Sequence, residues 1–196
     1  QIAAGSLGRW LRPDRASFAG HGGAYLRADP VKRDRCRARY GAGEFTVGIA
    51  WHTTKNEPTA QRRLELEELL PVLQVPGVRF VSLQYGDHRE AIAKLKSETG
   101  VELLQDPAID QLESLDDLAA QTAALDLVIG IDNSAAHMAG GLGVPAWVLL
   151  PQPPEWRWLL EGEDCLWWPS LRLFRQKIWR EWRGPIAEMA RALALH

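Results

Sequence analysis

From Glu44 onward, short and almost unbroken apolar runs recur, separated by polar stretches with a helical period. The runs at residues 46–51 (TVGIAW), 78–83 (VRFVSL), 101–104 (VELL), 127–131 (LVIGI) and 146–150 (AWVLL) show little alternation. They predict strands covered on both faces, as in a parallel sheet. Between them, residues 64–73 place Leu66, Leu69, Leu70 and Leu73 on one side of a helix. Residues 87–97 are rich in helix formers. Ser114 opens a further helix with the capping signature S-L-D-D, in which Asp117 can reach back. Leu115, Leu118, Ala119, Thr122 and Leu125 follow it at helical spacing. Residues 135–142 form a short helix of small side chains, and 184–195 a last one with Ile186, Met189, Ala190 and Leu193 inward. Strand and helix alternate with connections of a few residues, which predicts a doubly wound, Rossmann-like α/β sheet with right-handed crossovers.

Ahead of this domain the pattern is weaker. Residues 1–29 have no sustained period and carry several glycines and Pro13; they read as a linker or the tail of a preceding domain. Residues 30–40, PVKRDRCRARY, begin with a proline suited to a helix first turn. Their five basic residues spread around the helix axis, giving either a solvated connector or a phosphate-binding patch.

Bulk composition narrows the function. The chain has 196 residues, 46% apolar and 24% charged, with a net charge of -2. That balance is ordinary for a globular domain and supplies no field for nucleic acid. No apolar run reaches the roughly 18 residues of a membrane span, and the N-terminus lacks a signal-peptide core. The two cysteines, Cys36 and Cys165, have no metal-ligand spacing and fit a reducing compartment; a cytoplasmic location is expected. Seven of the nine tryptophans lie after residue 145. That tail reads as core packing against the sheet or as a surface for a partner.

In such a sheet, ligands sit beyond the carboxyl ends of the strands. The fourth strand leads into Asp132-Asn133-Ser134, then Ala135, Ala136 and His137. A helix starting there exposes unpaired amides and the positive end of its dipole, and the two alanines leave room for a phosphate. The same residues also read as plain capping before a tightly packed helix. The first strand ends in WHTTKN, where Thr53, Thr54 and Lys55 offer two hydroxyls and a cation, with Arg62 and Arg63 following; a polar surface loop is the alternative. Gln84 and Tyr85, after the second strand, offer an amide edge and a ring to a base, or a half-buried rim. No GxxxxGK[ST], GxGxxG or GxSxG occurs, which argues against a triphosphate loop, a dinucleotide fingerprint and a hydrolase elbow.

The stretch LDLVIGIDNSAAHMAGGLGVPAWVLLP, with VRFVSLQYGD and PEWRWLLEGEDCLWWPSLRLFRQ, resembles the C-terminal half of heptosyltransferase-like glycosyltransferases (glycosyltransferase family 9). The nearest resemblance is to bacterial members fused behind tetratricopeptide repeats, of the O-GlcNAc-transferase-like kind. It runs from about Tyr25 to the end, around the core D-x-S-x-x-H-x-A-G-x-L-G-x-P. The resemblance implies a GT-B architecture, with residues 44–196 as the nucleotide-sugar-binding domain and 1–43 as the remnant of an N-terminal domain and linker helix. It places Asp132, Asn133, Ser134 and His137 at the diphosphate and sugar, Thr53–Thr54 on phosphate, and Glu113 near the base. It also makes Arg62, rather than Lys55, the phosphate cation. Many members carry Thr or Gly where this chain has Asn133 or Ser134.

The implied activity is inverting, metal-independent transfer of a hexosyl or heptosyl group from a nucleotide-diphosphate sugar, the donor substrate; no cofactor is implied. The acceptor, a glycan, lipid-linked saccharide or protein, is open. The general base would belong to the missing N-terminal half, so the lone chain is expected to bind donor and turn over little. The alternative is a non-catalytic nucleotide-sugar-binding or protein-interaction module fused to a repeat scaffold.

Overall fold

The computed structural model describes residues 3, 6–20, 23–53 and 64–196. Its sheet consists of β1 (Phe45–Ala50), β2 (Val78–Ser82), β3 (Leu103–Leu104), β4 (Leu127–Ile131), β5 (Ala146–Leu150) and β6 (Leu171–Arg175). These pair in parallel throughout, in the order β3-β2-β1-β4-β5-β6. That is the Rossmann order, with the connection reversing between β1 and β4.

The helices are α1 (Gly8–Leu11), α2 (Pro30–Tyr40), α3 (Leu70–Leu73, continuing a 3₁₀ turn over Leu66–Leu69), α4 (Arg89–Thr99), α5 (Leu115–Ala123), α6 (Ser134–Leu142) and α7 (Arg183–Leu193). Among the described residues none is long and apolar enough to cross a membrane. They cover both faces of the sheet. Val47, Ile49, Ile129 and Leu149 meet Val72, Leu95, Ile186 and Met189 on one side. Val81, Val128, Val148 and Leu173 meet Cys36, Tyr40, Ala136 and Ala139 on the other. Burial of each large apolar side chain contributes about 1.5–3 kcal/mol, and covering from both sides is what makes the strands read as continuous apolar runs.

Three expectations change. β6 does not show in the apolar pattern because Arg172 and Arg175 interrupt LRLFR, and Leu171, Leu173 and Phe174 become buried only once β5 lies alongside. Ser114 caps α5 by accepting the Asp117 amide, but the Asp117 carboxylate takes the Lys32 ammonium at 2.6 Å. A cation outweighs a neutral amide as a partner for a carboxylate.

Third, α2 is no solvated connector. It lies against α5 with Cys36 and Tyr40 fully buried, and two of its arginines reach acids on other elements. Arg37 meets Asp126 at 2.7 Å, and Arg39 meets Asp106 at 2.7 Å. Asp126 also accepts the Thr46 amide and hydroxyl, both at 2.8 Å, tying β1 to the start of β4. Burial alone would raise the Asp126 carboxyl, but Arg37 and Thr46 outweigh it and hold it below its ordinary value. A depressed folded-state value gives stability that is present above about pH 4 and lost as pH falls through the lower folded value. Asp126→Asn should therefore be less stable than wild type at pH 7, with the difference closing below pH 4, as read from melting temperatures across pH 3–7.

Candidate functional site

β1 and β4 leave the sheet at the same level, Ala50 lying beside Gly130. The residues just beyond these two strands therefore line one crevice at the topological switch point. From β4 come Asp132, which is buried, Asn133, which is half-buried, and Ser134, which is exposed. From β1 come His52 and Thr53, both partly accessible. Thr54, Lys55 and Arg62 lie outside the described residues.

Asn133 is the N-cap of α6. Its extended backbone lets Oδ1 accept the amides of Ala135 at 3.1 Å and Ala136 at 3.4 Å. The cap thus occupies two of the amides that the sequence offered to a phosphate. An incoming anion would meet the Ser134 hydroxyl and the dipole at this end, or displace the Asn133 side chain.

One turn on, His137 Nε2 stands 3.5 Å from Asp132 Oδ1. The imidazole stacks on Trp158, with centroids 5.4 Å apart and planes 16° apart, and meets Trp168 at 5.0 Å. Sequence alone does not reveal these two rings, since nothing in PEWRWLL or CLWWPS says which tryptophans face a histidine.

The small residues of α6 have a packing reason. Ala135, Ala136 and Ala139 press on the sheet. A Cβ on Gly140 would stand 2.4 Å from the Trp168 ring. The Gly141 carbonyl accepts the amides of Tyr25 and Leu26, each at 2.9 Å. The helix that DNSAAH opens is thus capped and tightly packed, and it starts at the carboxyl end of β4.

Gln84 differs from its expected role. Its Oε1 accepts the Trp51 and His52 amides at 2.9 and 3.0 Å, while Nε2 donates to the His52 carbonyl at 3.0 Å. Buried and engaged on both sides of its amide, it fastens the exit of β1 to that of β2 rather than offering an edge to a base. Tyr85 is a half-buried rim residue with its hydroxyl 3.3 Å from Thr53 Oγ1. His88, not singled out from sequence, packs edge-on to His52 at 4.8 Å. Glu113 is exposed in the turn before α5, its amide donating to Asp110.

Beside Gln84, at the carboxyl ends of β2 and β3, lies a cavity of about 340 Å³ lined by Gln105, Asp106, Gln111 and Gln121 among others. Asp106 is fixed there by Arg39 and by the Tyr40 hydroxyl at 2.9 Å, so docked α2 also shapes this wall. A larger cavity of about 800 Å³ sits at the amino ends of β1 and β2, between them and α4. That is the opposite end of the sheet from where ligands of such folds bind.

No protein-family model matches the chain. It is 38% identical over 187 residues to Protein FlbA of Caulobacter vibrioides, covering 93% of this chain and 31% of that protein. Its fold is similar to the crystal structure of the glycosyl transferase family 9 from Veillonella parvula DSM 2008, with a TM-score of 0.58 and 14% identity. That likeness covers 89% of this chain and 54% of the other. The chain thus spans about a third of the one protein and about half of the other. At this level the second likeness establishes the fold: a parallel six-stranded α/β sheet of the GT-B glycosyltransferase type.

Proposed function

We propose that the chain is the donor-binding part of a glycosyltransferase and seats a nucleotide-diphosphate sugar at the switch point. The observation that carries this is the Rossmann strand order, which brings Thr53 and the capped start of α6, with Ser134 and His137, to one crevice. The fold likeness to a family 9 glycosyltransferase supports it. The diphosphate would lie along the end of α6, with Thr53, Ser134 and the sequence-nominated Thr54 and Arg62 as partners. The nucleoside would extend past Tyr85 toward the cavity beside Gln84, with Glu113 at its outer margin. In the reaction, an acceptor hydroxyl oxygen bonds the anomeric carbon as the bond to the diphosphate oxygen breaks, with inversion. The electron pair leaves on the nucleoside diphosphate, and the proton passes to a carboxylate base in the rest of the protein. The crevice groups would stabilise the growing negative charge.

ADP, UDP, GDP and dTDP, with their sugars, should be screened by thermal shift. A bound nucleotide at about 100 times its Kd adds roughly 2.7 kcal/mol. Ser134→Ala and Arg62→Ala should each weaken the responding nucleotide about tenfold, or 1.4 kcal/mol, with the ligand-free melting temperature unchanged. A second reading has α6 as a packing helix only, favoured by the Asn133 cap and the Gly140–Trp168 contact. It is the reading left standing if no nucleotide shifts the melt.

A further inference from the structure

Neighbouring tryptophans of the loop after β5 divide between two places. Trp158 and Trp168 flank His137. Trp156 and Trp167, two and one residues away in the chain, instead line a separate groove of about 500 Å³ against the N-terminal segment. Phe18 completes its aromatic wall, edge-on to Trp167 at 4.9 Å, and Trp167 is edge-on to Trp156 at 5.9 Å. Arg9, Arg12 and Arg15 also line the groove, Arg12 over the Phe18 ring at 5.5 Å, with Asp14 as the acid of the lining. Asp14 already accepts the Ser17 amide. Among the described residues none of the three guanidiniums has a carboxylate partner, whereas Arg37 and Arg39 in the same half are both paired.

This combination selects a ligand. Flat indole faces, one of them 62% exposed, suit the C–H faces of a pyranose. Three guanidiniums without carboxylates suit carboxylate or phosphate groups on the same molecule. The volume is that of a small-molecule site. A neutral glycan would leave the cations unmatched, and a simple anion would leave the aromatic wall uncovered.

We propose that this groove seats an acidic saccharide as the glycosyl acceptor. Its rings lie on Trp156 and Trp167 and its acidic groups on Arg9, Arg12 and Arg15. The role as acceptor rests on the donor reading above. The geometry favours it because the groove and the His137 crevice share one tryptophan loop, so the two substrates would approach from either side of that loop. The acceptor contributes the attacking hydroxyl oxygen to the anomeric carbon. The bond to the diphosphate oxygen breaks, and the proton passes to the carboxylate base.

The test is a ¹H–¹⁵N spectrum of the nine indole groups, titrated with digalacturonic acid, with neutral galactobiose and with phosphatidylglycerol vesicles. The signals of Trp156 and Trp167 should move with the acidic disaccharide while those of Trp147 and Trp182 stay. Galactobiose should bind about tenfold or more weakly, and Arg9→Ala or Arg15→Ala should weaken the acidic sugar about three- to tenfold without lowering the melting temperature. Unmoved groove signals, an equal response to the neutral sugar, or a response to vesicles alone would each overturn the proposal. Nucleoside diphosphate binding is read in the same samples from Trp158 and Trp168. A nucleotide response with a silent groove removes this proposal alone. Groove binding without one removes the donor reading and with it the acceptor role.

Discussion

Trp158→Ala should lower the free energy of unfolding by about 3–5 kcal/mol, the range for emptying a buried tryptophan site. Trp158 is 1% exposed, among the largest fully buried side chains. It stacks on His137 on one side and tilts against Trp168, 5.8 Å away, on the other. Removing it takes out the platform that holds the imidazole beside Asp132, so the loss should reach function as well as stability. The comparison that separates the two is Trp158→Phe. The phenyl ring keeps a stacking face, and the substitution deletes a buried indole N–H that has no acceptor among the described residues. Leaving such a donor unmatched costs about 1–3 kcal/mol, so Trp158→Phe should retain most of the stability. Urea unfolding of the two variants, followed by nucleotide titration of whichever folds, checks both parts. Equal losses for Ala and Phe would mean the ring contributes no platform.

The same tryptophans mark where the sequence stops being readable. β4 and β5 stand on the residues their apolar runs named, because those strands sit mid-sheet and bury both faces. β6, at the edge, presents charged residues between its buried ones and loses that signature. The short β3, Leu103–Leu104, shrinks from the expected 101–104 for want of a neighbour on its outer side. At the candidate site, the placing of Asp132, Asn133, Ser134 and His137 between β4 and the start of α6 is legible because a strand end followed by a capped helix is a local pattern. What those residues touch is not. Asn133 turning back onto its own helix, Gln84 clamping two strand exits, and Trp158 and Trp168 bracketing His137 are contacts set by the folded backbone. Periodicity carries no information on such pairings. The basic run of α2 misleads for the same reason: Asp106, Asp117 and Asp126 are remote in sequence and adjacent only after α2 docks.

Gly130→Ala should cost about 1–3 kcal/mol by overpacking and weaken nucleotide binding as well, whereas Gly48→Ala should be milder on both counts. The two glycines occupy the central strands, and an added Cβ crowds each of them. At Gly48 it would meet the side-chain ends of Leu125 and Leu83, each at 2.6 Å, and leucine tips can rotate aside. At Gly130 the nearest obstacle is the Ala50 carbonyl oxygen, 2.9 Å away. That oxygen is backbone and cannot move without moving the last residue of β1. Ala50 and Gly130 face each other where the two strands leave the sheet, so the strain must spread the mouth of the crevice. His52 and Thr53 would shift relative to Asp132 and Ser134, and a diphosphate bridging the two strand exits would lose one side of its seat. The Gln84 clamp on the Trp51 and His52 amides resists that shift, so Gln84→Ala should add to the binding loss of Gly130→Ala by more than its own single effect. A double-mutant cycle on nucleotide affinity, with melting temperatures alongside, measures this coupling. If Gly130→Ala loses stability while nucleotide affinity stays at the wild-type value, the ligand does not span β1 and β4, and the switch-point placement of the donor is wrong.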